Sequence, residues 1–369
     1  MQYWRPFRLS GRPKVISPGV QYLRMKFTIA ALVAAAIAST SVFAQPAASG
    51  LTHLLEGELS RFPAKAGVCL TQLKTGEEAC VHPDELFNSA SVIKIPVLVM
   101  AFQMADQKKL NLSDRIEMGP GDYRGGSGVL KLNDIGQKPA IHDLLTQMVV
   151  TSDNSATDLM IAKVGGVARV NQWLDENGYR NLRLNHTAYE LFRRRYELID
   201  PKYKSLTPEQ LFTVGTSDPR FHAKFQTLAD EIRANPKFAN SNAEFFERMK
   251  MDQDFWLGSM SPRDTMRLIA SMEQGRAASK ESCADMMRIL LGQQSGARRL
   301  PHFLNVPVGH KTGDYPPAVA NDVGVIYARS GPIAIAFFTR DNSGVYAETE
   351  DRIGEVARLV VEYFDGAGK

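Results

Sequence analysis

The chain reads as an α/β protein, because strand patterns stand towards both ends and helical periodicity fills the middle. Two strand-like runs come early, Gly67 to Leu73 and Glu78 to Val81, and two come late, Asp322 to Ala328 and Pro332 to Thr339. A last segment, Asp351 to Phe364, carries Ile353, Val356, Leu359, Val360 and Phe364 at helical spacing, so it can pack its apolar stripe on the sheet.

The early strands flank a turn at Lys74-Thr75-Gly76. Cys69 and Cys80 lie on either side of it, and an oxidising compartment would permit a hairpin disulfide; the sequence leaves their register open. Cys283, in a helical context, reads as a buried free thiol. Ile93 to Phe102 is apolar on nearly every face, as in a helix enclosed by a large domain. Ile141 to Val150 and Ala156 to Lys163 repeat apolar residues at helical spacing, which places Ser152 in the connection between them. The stretch Arg193 to Phe255 holds nine aromatics in 63 residues, with 11 basic and 10 acidic side chains nearly cancelling. Helical patterns at Pro208 to Val214, Phe221 to Ala234 and Asn242 to Met251, with Thr207 and Asn242 as caps, make it a packed helical subdomain and not a linker.

Three strings carry chemistry together: Ser91-Val92-Ile93-Lys94, Ser152-Asp153-Asn154 and Lys311-Thr312-Gly313. Singly, each is as well explained by a helix cap or a strand end; the order and context give them weight. Ser91 falls in the first turn of a helix, where free amides favour developing negative charge, and Lys94 rises on the same face. An ammonium in an apolar helix is desolvated, which lowers its pKa and lets it take a serine proton. Ser152 can relay a proton and Asn154 can donate to a substrate amide. Lys311 and Thr312, at one end of the sheet, suit a carboxylate-bearing substrate, and Gly313 lets a ligand approach the backbone.

On these strings the chain resembles class A serine β-lactamases, within the penicillin-recognising serine enzymes. The 61 residues from Ser91 to Ser152 and the flanks Val149 to Thr157 and His310 to Gly313 are similar to that family's motif contexts. The resemblance implies an antiparallel sheet flanked by helices from both chain ends, plus an all-helical lobe, with the site in the cleft between them. It also implies that Ser91 is acylated with Lys94 as base and Ser152 as relay, and that the oxyanion is held by the amides of Ser91 and Asp314. Lys311, Thr312 and Asn154 would hold the substrate.

Two departures stand out. The family's deacylating glutamate falls 36 residues beyond the second motif's serine, which here is Ala188, and the companion asparagine is replaced by Phe192. Alanine cannot be a base. Glu190 is the nearest candidate replacement, with Glu197 and Asp200 further on. The second departure is the helical insertion, about 193–256, which grows from the Ω-loop of the family and reads either as a roof over the site or as a remote structural embellishment or partner surface.

Composition bounds the rest. The chain has 44 basic and 40 acidic residues. Residues 1–24 read as mis-annotated upstream sequence, and 25–44 as a signal peptide with Lys26 as n-region, an apolar run from Phe27 to Val42, and a small-residue site before Gln45. Residues 1–44 hold six of the basic residues and no acidic ones, leaving 38 against 40 in the expected mature hydrolase domain, 45–369. The expectation is a periplasmic or secreted monomer acting on a small-molecule substrate, with no membrane anchor after cleavage and no nucleic-acid partner. No metal or other cofactor is expected, since the seven histidines lack ligand spacing.

Overall fold

The protein is described by a computed structural model over residues 50–366 apart from Ser217. The expected upstream segment and signal peptide lie outside the described residues. Among the described residues, eight strands form: β1 (Lys65–Gln72), β2 (Glu78–Val81), β3 (Phe87–Asn88), β4 (Leu182–Leu184), β5 (Gly258–Met260), β6 (Val308–Tyr315), β7 (Val319–Ala328) and β8 (Gly331–Arg340). Five make an antiparallel sheet in the order β2-β1-β8-β7-β6, and β3-β5-β4 make a small second sheet.

Both faces of the main sheet are buried, which is why its strands read as nearly continuous apolar runs. Val68, Leu70, Ile335 and Phe337 point to one face and pack against Leu51 and Leu55 of the helix Gly50–Leu59 and Ile353, Val356 and Val360 of the helix Tyr346–Asp365. Cys69, Ala334, Ala336 and Phe338 point the other way, into a core with Met266 and Ile269 of the helix Pro262–Glu273. Cys69 lies directly opposite Cys80 across β1 and β2, and the two are bonded; Cys283 is free and buried.

The helix Lys94–Asp106 is buried without a break from Lys94 to Phe102. It is surrounded by the helices Ile141–Val150, Asn154–Lys163 and Gly166–Glu176, so its all-round apolarity reflects enclosure. The insertion adds the helices Pro208–Gly215, Pro219–His222, Gln226–Ala234 and Ser241–Met251 around a core of its own that includes Tyr196, Leu211, Val214, Ala229 and Ile232. Three local expectations are corrected. The pattern from Phe221 to Ala234 is two helices joined by a 3₁₀ turn at Ala223–Phe225. Asn242 lies inside its helix and Asn240 takes the cap position. The helix expected from Ala156 starts at Asn154, because Asp153 caps it by accepting from the Ala156 amide at 2.9 Å. Thr207 does cap its helix, accepting from the Gln210 amide while Gln210 returns a bond to the Thr207 amide.

Candidate active site

Ser91 stands at the mouth of the helical lobe in a 3₁₀ turn, Ala90–Ile93, that runs into the Lys94–Asp106 helix, and not in the α-helical first turn expected. The reason is the entry to the turn: Ala90 adopts a left-handed φ of 44°, held by a bond from its amide to Asn88 Oδ1 at 3.0 Å. Ser152 has the same rare conformation, φ 54°. Non-glycine residues resist this region, so two in one site mark backbone held in place by its surroundings. Asn321 is one of the holds, donating from Nδ2 to Asn88 O at 2.8 Å while its Oδ1 accepts from the Thr339 amide at 2.9 Å.

Lys94 and Lys311, both fully buried, converge on Ser152. Lys94 Nζ donates to Ser152 O at 2.7 Å and Asn154 Oδ1 at 3.0 Å and lies 3.1 Å from Ser152 Oγ; Lys311 Nζ lies 3.1 Å from the same Oγ. Burial lowers the pKa of Lys94 well below that of a free lysine, and the Lys311 charge lowers it further, against the pull of Asp153, Asp158 and Asp314. Burial also lowers Lys311, to about 8, with Asp314 and Asp322 opposing.

The proton count follows from these contacts. With Lys311 as the ammonium, it donates to Ser152 Oγ, so the single Ser152 proton must point elsewhere. A neutral Lys94 keeps two N–H bonds, to Ser152 O and Asn154 Oδ1, and offers its lone pair. That arrangement can serve as a base with an adjacent relay.

The third string lies on β6. Thr312 Oγ1 is 2.7 Å from Ser295 Oγ. Gly313 is also pressed by the protein itself: a β-carbon there would sit 2.5 Å from the Ser89 carbonyl, so this glycine lets the sheet pack against the Ser91 turn. The carboxylate of Asp314 is turned to a buried cluster. Arg299 Nη2 and Tyr346 OH both donate to it, and Arg299 also reaches Glu350 and the Asn321 carbonyl. Burial pushes the Asp314 carboxyl up, but Arg299 and Lys311 bring it below the usual range, so it remains an anion. Asn154 donates from Nδ2 to Gly125 O at 3.0 Å, and Asp153 Oδ2 accepts from the Leu130 amide at 2.8 Å, which together fasten the loop 123–130 over the second string.

A cavity of about 190 Å³ opens on Ser91 and is bordered by Asn154, Asp314, Ala188, Leu191 and Phe192. The last three belong to the helix Ala188–Ile199. Its first two amides, of Ala188 and Tyr189, are bound by Asp158 at 2.7 and 2.9 Å, and Arg124 Nε holds that carboxylate at 2.6 Å. Glu190 does not border this cavity. Its carboxylate accepts from the Thr187 amide at 2.8 Å and the Thr187 hydroxyl at 3.1 Å, closing a capping box. Glu197 pairs with Arg193 at 3.1 Å, and Asp200 accepts from the Lys202 amide at 3.0 Å. Among the described residues, Asp314 is the acidic residue that lines the Ser91 cavity, and its carboxylate is bound by Arg299 and Tyr346.

Sequence reasoning missed Ser295, Arg299, Tyr346 and Asp158. Ser295 and Arg299 sit in a stretch without periodicity, and their partners are reached only through the fold.

Comparison with known proteins bears on the family and the fold. A model of the Beta-lactamase enzyme family, Beta-lactamase2, matches residues 49–364. The β-lactamase regulatory protein BlaB of Streptomyces cacaoi is 27% identical over 179 residues, 48% of this chain and 56% of that protein, so this chain spans little more than half of that relative. β-Lactamase VEB-1 of Pseudomonas aeruginosa is 21% identical over 343 residues, 90% of this chain and 96% of the other. Among solved structures, an ancestral class A β-lactamase superposes with a TM-score of 0.63 at 22% identity, over 85% of this chain and all of that one. A PBP-A variant captured as its acyl-enzyme with penicillin G gives 0.62 at 23% identity, over 86% and 96%. The two structures share the fold, and the match along nearly the whole described chain shows that the protein belongs to the β-lactamase enzyme family.

Proposed function

We propose that the protein is a serine acyl-enzyme hydrolase of the class A type that opens a β-lactam amide on Ser91 and releases the product slowly. The observation that carries this is the pair of buried lysines meeting at Ser152 Oγ. Neutral Lys94 takes the Ser91 proton as Oγ attacks the carbonyl. The C–N bond then breaks, the Ser152 hydroxyl gives its proton to the leaving nitrogen, and Lys94 returns one to Ser152. The backbone amides of Ser91 and Asp314 hold the oxyanion. Lys311 and Thr312 bind the substrate carboxylate, and Asn154 its side-chain amide. Release needs an activated water, and loss of a positioned base slows such a step by about 10²–10⁴-fold. With residues 25–44 as a signal peptide, the reaction takes place in the periplasm or outside the cell.

The apolar wall at Ala188, Leu191 and Phe192 also favours a second reading: an acyl enzyme of the penicillin-binding or peptidase type acting on a cell-wall peptide or a related amide or ester, or a protein that binds β-lactams without turnover. The resemblance to the penicillin G adduct of PBP-A points the same way.

Intact-protein mass spectrometry over time, with penicillin and nitrocefin and with Ser91→Ala as control, tests both. A Ser91-dependent adduct that accumulates and persists is expected. Complete hydrolysis with unmodified protein would overturn slow release, and neither adduct nor hydrolysis would overturn acylation by β-lactams.

A further inference from the structure

Beside the Ser91 cavity lies a larger one of about 360 Å³, and the insertion builds most of it. Its apolar walls include Phe192, Leu211, Phe212, Phe245 and Phe246. The two cavities share Gly126, Phe192 and Tyr315. The partition between them is thin: a β-carbon at Gly126 would sit 3.2 Å from the Phe192 ring and 2.8 Å from Asn154 Nδ2, so bare backbone faces one ring there.

The cations that reach the larger cavity are hydrogen-bonded, and Arg124 among them is held by a carboxylate. Arg195 Nε donates to Ser241 Oγ at 3.1 Å, Arg124 holds Asp158, and Lys131 Nζ donates to the Gly126 carbonyl. The cavity's size and lining fall in the range of sites that enclose a small apolar ligand.

We infer that this cavity is a subsite for the acyl arm of the substrate, selecting a bulky aryl or branched-alkyl group carried by the side-chain amide on the carbon next to the carbonyl that Ser91 attacks. This rests on the acyl-enzyme reading above and adds what the insertion contributes to it: preference for a large apolar arm over none. Gly215 stands on the wall with room beside it, the nearest atom to an added β-carbon being Tyr196 Oη at 3.4 Å, so Gly215→Phe fills the space from the insertion side.

The test compares acylation rate constants, by intact mass, for 6-aminopenicillanic acid, benzylpenicillin and a biphenyl-bearing penicillin. In the wild type the rate should rise about tenfold or more from the first probe to the last, the discrimination an apolar pocket commonly provides. Gly215→Phe should lower the large-to-small ratio by about tenfold. Phe246→Ala, at a partly buried ring, should shift the preference towards the biphenyl probe and remains informative where the first variant does not fold. Equal rates for all probes in the wild type, or an unchanged ratio in both variants, overturn the subsite. Where the wild type forms no adduct with any probe, the acyl-enzyme reading falls, and the cavity is judged by calorimetric titration with N-(biphenylacetyl)-D-alanine. Saturable binding weakened in Gly215→Phe then supports the subsite, and no binding, or equal binding by both proteins, overturns it.

Discussion

Two buried lysines converge on the Ser152 hydroxyl next to Asn154, which borders the Ser91 cavity, while an alanine, a leucine and a phenylalanine line the same cavity from the helix Ala188–Ile199. The first wall spends its polar groups inward. Lys94, Ser152, Asn154 and Lys311 bond to one another, and the loop 123–130 is fastened over them. The second wall turns its polar groups outward. Asp158 takes the first amides of the Ala188–Ile199 helix, and Glu190 closes the cap on Thr187. Under the proposed function, the contrast would leave acylation its machinery while the side that should release the product has become a packing surface.

The largest effect should come from giving the second wall a base. Ala188→Glu with Phe192→Asn is expected to shorten the life of the Ser91 adduct by about 10²-fold, followed by mass spectrometry, because a positioned carboxylate typically contributes that much to proton transfer. An unchanged lifetime would mean that the wall differs in more than these two side chains. A smaller effect concerns the first wall. Lys311, lowered by burial to about 8, loses its charge above that pH, so acylation should decline by up to tenfold per pH unit beyond it. Lys311→Arg keeps the charge and should remove this alkaline limb, as measured by adduct formation between pH 6 and 10. The smallest effect on chemistry belongs to Glu190. Glu190→Ala should leave the adduct lifetime within twofold, but cost about 1 kcal/mol of stability in a thermal melt through the lost cap. A hundredfold longer lifetime would instead put Glu190 in the reaction.

Local signals explain what could be read in advance. The strand Glu78–Val81 and the helix Ile141–Val150 have the bounds their periodicity suggests, and Thr207 caps where a threonine three residues before a glutamine should. The three strings were legible because each carries its chemistry within a few residues, and the fold brings Lys94, Ser152, Asn154 and Lys311 into contact. Partners fixed by tertiary structure were not. The role of Gly313 depends on the Ser89 carbonyl, more than 200 residues earlier in the chain, and the orientation of Asp314 depends on Arg299 and Tyr346. Likewise, nothing local tells that Ala223–Phe225 tightens into a 3₁₀ turn, since its residues suit either helix.

The helix Ala188–Ile199 has a meaning beyond the side chains it carries. Its twelve residues form a rod of about 18 Å that starts in the wall of the reaction cavity and ends at the root of the insertion. A rod of this kind cannot be re-aimed at one end alone. The two departures expected from the sequence, alanine at position 188 and the helical insertion, are therefore mechanically linked: a shift that seats the extra helices also moves the helix that carries position 188.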